Sequence, residues 1–220
     1  MSTNTRAGLS THLQDVPVVA VLRAQDAAEY LPIINALLDG GVRSIELTLS
    51  TAGVFEHLTE IIGAVGGRGE IGVGTVTTLA ETEQALDAGA AFIVTPISDQ
   101  AIVKACAEHG VPVFPGGLTP TELYSSWTAG ATAVKVFPAS TVGSDYLKQL
   151  RGPFPDLLAI PSGGVDSVVA AEWIAAGACA VSVGGPLIGD AFRGGNLNLL
   201  TERARNLVAS VQAAQAGVHS

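Results

Sequence analysis

The sequence predicts an α/β protein of one domain, an eight-stranded parallel (β/α)8 TIM barrel. Three observations lead there. First, one phrase recurs: a helix-like segment, a glycine, a small or β-branched residue, then an apolar strand. It appears as Asp39-Gly40-Gly41-Val42, Asp87-Ala88-Gly89-Ala90, Glu108-His109-Gly110-Val111, Thr128-Ala129-Gly130-Ala131 and Ala175-Ala176-Gly177-Ala178. A glycine so placed caps a helix that turns directly into a strand. Second, eight short apolar runs alternate with amphipathic segments, the pattern of parallel strands joined by crossover helices. Third, the chain has 220 residues, 48% of them hydrophobic, a size at which one domain around one large core is the default.

Taken in order, residues 1–15 read as an amino-terminal cap segment, residues 16–212 as the barrel and residues 213–220 as a flexible tail. Strands are expected at Val16–Leu22, Ser44–Leu49, Ile71–Thr75, Phe92–Thr95, Val113–Pro115, Ala133–Phe137, Leu157–Ile160 and Ala180–Val183, each short and rich in β-branched or apolar residues. Between them lie amphipathic stretches such as Ala27–Leu38, Leu79–Ala88, Gln100–Glu108, Pro120–Ala129 and Val168–Ala176, and Leu197–Gln212 follows the last strand. A doubly wound open sheet is the competing fold. It usually carries a glycine-rich phosphate loop after its first strand, whereas this chain continues Val21-Leu22-Arg23-Ala24.

Composition narrows the function. A net charge of −9 argues against nucleic acid and anionic membranes as partners, so any anion site must be built locally. No apolar stretch reaches the roughly 18 residues of a membrane span, and the polar start lacks the apolar core of a signal peptide, so a cytoplasmic protein is expected. Cys106 and Cys179 have no metal-ligand or redox spacing and read as buried thiols. All four histidines, His12, His57, His109 and His219, fall outside the expected strand ends; no metal and no cofactor are expected. Trp127 and Trp173 fall on outer helices, where interface and ordinary packing explain them equally.

In a barrel of this kind chemistry sits at the carboxyl ends of the strands. One of these ends holds a lysine inside the apolar run Ala131-Thr132-Ala133-Val134-Lys135-Val136-Phe137-Pro138. Removal from water favours the neutral form of an ammonium, and a neutral amine is a nucleophile able to form a Schiff base with a ketone. Strand alternation sets Ala133, Lys135 and Phe137 on one face, and Ser44, Glu46 and Thr48 on one face of the second strand. With both faces inward, Glu46 meets Lys135 across the barrel mouth and supplies a base beside the imine. The plainer alternative is an ion pair that neutralises two buried charges.

Several separated motifs, Glu46-Leu47-Thr48-Leu49, Gly72-Val73-Gly74-Thr75-Val76, Thr95-Pro96, Val113-Phe114-Pro115-Gly116, Lys135-Val136-Phe137-Pro138-Ala139, Gly152-Pro153-Phe154-Pro155 and Ser162-Gly163-Gly164, resemble in order and spacing one enzyme family. It is the class I aldolases of the 2-keto-3-deoxy-6-phosphogluconate (KDPG) and 4-hydroxy-2-oxoglutarate (KHG) type. The resemblance runs from about Val16 to Arg205. It implies a metal-independent homotrimer that cleaves a 2-keto acid into pyruvate and an aldehyde. By residue it implies Lys135 as the Schiff-base lysine, Glu46 as acid and base, and Thr75 on the pyruvate carboxylate. Pro96 and Phe137 would pack around the imine. Ser162, Gly163 and Gly164, with Gly184 and Gly185 after the eighth strand, would hold a terminal phosphate. Apart from the resemblance, Arg23 at the end of the first strand is a further candidate to hold that phosphate.

Three positions depart from the family pattern. Ser50 stands where an arginine is frequent, Pro186 replaces the serine of a Gly-Gly-Ser, and Ile97 follows Pro96 where glycine is common. Pro186 removes a hydroxyl and a backbone donor from the phosphate site, and Ile97 is expected to narrow the pocket rim. Two other function classes share the fold, a sugar-phosphate epimerase and a non-catalytic ligand-binding barrel. The metal-assisted epimerase needs histidines at strand ends; the binder needs neither Lys135 nor Glu46.

Overall fold

The computed structural model describes residues 6–218. The chain begins with a short helix α1 (Thr11–Asp15) and then alternates: β1 (Val18–Leu22), α2 (Tyr30–Asp39), β2 (Ser44–Thr48), α3 (Val54–Val65), β3 (Glu70–Gly74), α4 (Leu79–Asp87), β4 (Ile93–Thr95) and α5 (Gln100–Glu108). It continues with β5 (Val113–Gly117), α6 (Pro120–Thr128), β6 (Val134–Val136), α7 (Asp145–Arg151), β7 (Ala159–Pro161), α8 (Ser167–Ala175), β8 (Val181–Val183), α9 (Gly185–Ile188) and α10 (Leu197–Val218). All eight expected strands are present. They pair in parallel in the order β7-β6-β5-β4-β3-β2-β1-β8, and a bridge between Ser162 and Ser182 joins the two ends of this sheet into a (β/α)8 barrel.

The recurring helix-glycine-strand phrase acts as expected. Gly41, Gly89, Gly110, Gly130 and Gly177 all have φ between 67° and 113°, and after Gly41 the Val42 N–H donates back to the Leu37 carbonyl. Short helix-to-strand turns leave no slack, so each strand's carboxyl end lies at the same mouth of the barrel.

Inside the barrel, Val19, Phe92, Val94, Phe114, Ala133, Ile160 and Ala180 form a core of their own, with Leu13 of α1 among them. The Phe92 and Phe114 rings lie 5.6 Å apart, and a side chain on Gly72 would collide with the Phe92 ring. At the opposite mouth from the strand ends, the Ser10 hydroxyl caps α1 at the Leu13 N–H and donates to the Glu70 carboxylate at 2.7 Å; Ser44 donates to the same oxygen at 2.5 Å. α1 thereby seats Leu13 in the barrel floor. The larger core fills the layer between strands and outer helices and includes Trp173, only 1% exposed, so this tryptophan serves packing. Trp127 is half-buried beneath the Arg6 guanidinium, 3.4 Å from the ring centroid.

Strand ends shift by one or two residues from expectation, and one larger boundary differs. The segment expected to be a flexible tail from residue 213 continues α10 as far as Val218. Its residues Ala213, Ala214, Gln215 and Ala216 are strong helix formers, and a barrel-packed helix propagates through them at little cost. Residues 1–5 of the expected cap and residues 219–220 of the expected tail, His219 included, lie outside the described residues.

Candidate active site

Lys135 and Glu46 come from strands four places apart in the eight-stranded barrel, β6 and β2, and therefore face one another across its interior. Both are buried, at 7% and 1% exposure. Their strand register is fixed on both sides: Lys135 is level with Gly116 and Ile160, and Glu46 with Val21 and Gly72. No ion pair within 4.0 Å involves either residue among the described residues, so they share the cavity without closing on each other. Burial pushes the Glu46 carboxyl above its ordinary range, and the Lys135 and Arg23 charges pull against that shift. Its Oε2 is buried without a hydrogen-bond partner. The Lys135 ammonium nitrogen lies 5.3 Å from the centroid of the Phe137 ring.

The mouth above this pair is a cleft of about 460 Å³. Its walls bring together every residue given a catalytic or substrate-binding role from the sequence: Lys135, Glu46, Arg23, Thr75, Pro96, Phe137, Ser162, Gly163, Gly164, Gly184 and Gly185. Local structure explains several placements. Thr95 accepts from the Ile97 N–H and donates to the Ile97 carbonyl, a tight turn that holds Pro96 against the cleft. Thr75 has φ 60°, a region that β-branched residues rarely enter, and strain of that kind persists where the surrounding structure enforces it. At the end of β7, Gly163 and Gly164 have φ of 88° and 74°, and the Ser162 and Gly163 carbonyls accept from the Ala139 and Ser140 N–H groups. A Cβ on Gly164 would crowd Ser140, so this wall is bare backbone by necessity.

The departures fall unevenly. Pro186 lines the cleft. Ile97 does not: it is 43% exposed and lines an adjoining hollow with Pro96 and Phe137, which corrects the expectation that it narrows the rim of the main site. Ser50 is exposed and pairs with the Thr48 hydroxyl at 3.0 Å, while Thr48 donates to the Leu22 carbonyl and pins β2 to β1. The cleft also contains Val21, Ser182, Phe192 and Arg193, which the sequence reading missed. Strand alternation from Val19 and Ala180 would have found the first two. Phe192 and Arg193 lie in a single 3-10 turn beyond β8, Ala191–Arg193, too short to carry a periodic signal.

An eight-stranded parallel barrel with an amine and a carboxylate set opposite each other beneath an open, partly cationic cleft defines a class: a barrel equipped for imine chemistry on a small anionic carbonyl compound. The chain belongs to the KDPG and KHG aldolase family, whose model matches residues 9–201. It is similar to the 2-dehydro-3-deoxy-6-phosphogalactonate aldolase of Escherichia coli (strain K12), 32% identical over 173 residues, which cover 78% of this chain and 84% of that protein. Over 166 residues it is 34% identical to the 2-dehydro-3-deoxy-phosphogluconate aldolase of Treponema pallidum (strain Nichols), with 73% and 75% coverage. A crystal structure of the KDPG aldolase from Legionella pneumophila, with pyruvate captured at low pH as a covalent carbinolamine intermediate, aligns with a TM-score of 0.82 at 28% identity, over 89% of this chain and 96% of that one.

Proposed function

We propose that this protein is a Schiff-base aldolase that cleaves a 2-keto-3-deoxy-6-phospho sugar acid, or 4-hydroxy-2-oxoglutarate, to pyruvate and an aldehyde, glyceraldehyde 3-phosphate or glyoxylate respectively. The observation that carries the reading is the placement of the Lys135 amine and the Glu46 carboxylate on opposite strands of one cleft, both buried and not in ion-pair contact. Lys135 Nζ attacks the C2 ketone; the carbinolamine loses water as Glu46 delivers the proton, leaving an iminium. Glu46, now ionised, takes the C4 hydroxyl proton; the C3–C4 bond breaks as the C4 oxygen becomes the aldehyde carbonyl, and the bond's electron pair enters the iminium to give an enamine. The aldehyde departs. Glu46 returns a proton to C3, and water hydrolyses the imine to pyruvate and free lysine. A carboxylate held above its ordinary range by burial suits both directions of proton transfer.

Thr75 supports the reading as a donor to the pyruvate carboxylate, since it lines the cleft on a strained backbone. Pro96 and Phe137 would wall the imine. Arg23 and the bare backbone of Ser162–Gly164 and Gly184–Gly185 would face the distal phosphate, where glycine permits close approach of an anion to backbone N–H groups. The reading includes a cytoplasmic homotrimer. Two unpaired cysteines fit a reducing compartment, and Leu79, Ile97 and Tyr124 offer exposed apolar surface for contacts between copies. Borohydride reduction in the presence of pyruvate tests the chemistry: covalent labelling of Lys135 is expected, and a non-catalytic binder takes no label. Sedimentation velocity tests the trimer.

A further inference from the structure

We propose that Arg193 is a second substrate-binding cation, which with Arg23 forms a two-guanidinium clamp on the distal anion of the substrate; the proposal rests on the aldolase reading for the identity of that substrate. The charged side chains lining the cleft are Arg23, Lys135, Arg193 and Glu46, three cations to one acid, in a chain with 20 acidic and 11 basic residues. Lys135 and Glu46 lie at its base. The two arginines, both exposed, are left at its mouth.

The segment that carries Arg193 is held in place. The Asp190 carbonyl accepts from the Arg193 N–H at 2.7 Å and from the Gly195 N–H at 3.1 Å, closing a tight turn. The Asp190 carboxylate lies 3.9 Å from Arg203, a residue outside the cleft lining. The acid nearest Arg193 in sequence is thus engaged by another cation. Among the described residues the Arg193 guanidinium makes one hydrogen bond, to the Gly189 carbonyl at 3.4 Å, and no ion pair. Its neighbour Phe192 packs edge-on against Tyr30, with centroids 5.9 Å apart.

Tyr30 also anchors the other arginine. Its hydroxyl donates to Thr51 Oγ1 at 2.7 Å and lies 3.3 Å from the Leu22 carbonyl, and Thr51 Oγ1 also accepts from the Ala24 N–H. Leu22 and Ala24 flank Arg23. One fully buried tyrosine therefore braces the backbone on which both guanidinium groups stand. Two forks of this kind match the geometry of a phosphate, with charge-assisted hydrogen bonds. The clamp also accounts for Pro186: the wall residue that lacks a backbone donor is compensated by side-chain donors from the following segment.

The test compares wild type with Arg193→Gln, Arg193→Lys and Arg23→Gln. Binding of inorganic phosphate is measured directly, and KM and kcat are measured for 2-keto-3-deoxy-6-phosphogluconate and for 4-hydroxy-2-oxoglutarate, whose distal carboxylate ends several bonds short of the phosphorus. Loss of charge-assisted hydrogen bonds predicts that Arg193→Gln raises the phosphate Kd and the KM for the phosphorylated substrate by about 10- to 100-fold, with kcat changed by less than about threefold. Arg193→Lys should recover part of the loss, because charge returns without the fork. An unchanged phosphate Kd, or an equal rise in KM for both substrates, overturns the clamp. If wild type takes no borohydride label with pyruvate, the aldolase reading fails, and the phosphate measurements still decide whether the arginines bind an anion together.

Discussion

A side chain on Gly74 would fall inside the Glu46 carboxylate: this position on β3 is empty because Glu46, level with Gly72 two residues earlier, reaches into it from β2. The carboxylate is thus placed by a missing Cβ as much as by its own strand. Gly74→Ala should push Glu46 off its position, at an overpacking cost of about 1–3 kcal/mol. We expect a lower melting temperature, retained borohydride labelling of Lys135 and a loss of roughly 100-fold in pyruvate methyl-proton exchange, since ångström-scale misplacement of a catalytic group costs about that much. Normal exchange in the alanine variant would show that the carboxylate has room to spare.

Glu46→Gln tests the acid–base role itself. General acid–base catalysis contributes about 10²–10⁴-fold, so kcat and methyl-proton exchange should fall by that factor. The raised carboxyl gives the effect a pH signature. Wild-type exchange needs the ionised base and should decline as pH falls through a value above the ordinary carboxylate range, a limb absent from the Gln variant. Stability runs the other way. The folded protein holds the Glu46 proton to higher pH than the unfolded chain does, so stability is lost as pH rises through that window. Glu46→Gln should melt higher than wild type at neutral pH, and the gap should close below the ordinary carboxylate range.

Lys135→Arg keeps the charge and removes the nucleophile. The variant should fold, take no label from pyruvate and borohydride, and lose essentially all cleavage activity. Labelling of Lys104 or Lys148 in its place, or turnover near the wild-type rate, would assign the chemistry to another amine.

Lys135 and Glu46 were legible in the sequence because strand alternation is strict: a period of two sets Lys135 on the face of Ala133 and Glu46 on the face of Ser44, and the structure turns both faces inward. The cleft residues at other strand ends followed from the barrel's polarity. What escaped lay outside the repeat. Arg193 and Phe192 sit in a single 3-10 turn between α9 and α10, too short for a period to signal a direction, and the Phe192 ring is placed by a tertiary contact with Tyr30. Leu13 escaped for a similar reason. A single leucine in a five-residue helix has no periodicity, and its position is fixed by Ser10 and Glu70, which are 60 residues apart.

That floor carries its own prediction. Leu13 is 1% exposed and joins the barrel's inner core from the mouth opposite the active cleft. Leu13→Ala should cost about 2–5 kcal/mol, the range for a buried leucine whose cavity refills only partly. Urea unfolding should show the loss, while KM for the substrate stays near wild type because the cleft lies at the other mouth. A variant as stable as wild type would mean that the floor collapses onto the missing volume.

Pro186 decides how much of the phosphate site is backbone. It lines the cleft beside Gly184 and Gly185, and it has no N–H to donate. Pro186→Ser adds a hydroxyl and a backbone donor at the wall the distal phosphate would face, and each hydrogen bond to a charged group is worth about 1.5–3 kcal/mol. The variant should therefore raise kcat/KM for 2-keto-3-deoxy-6-phosphogluconate by roughly 10-fold or more, and leave that for 4-hydroxy-2-oxoglutarate within about threefold. The ratio of the two is the informative quantity, because a general change in the cleft moves both. A gain confined to the phosphorylated substrate places its phosphate against the loop after β8. No gain means that the phosphate is held by the arginines alone, or that the natural substrate does not carry one.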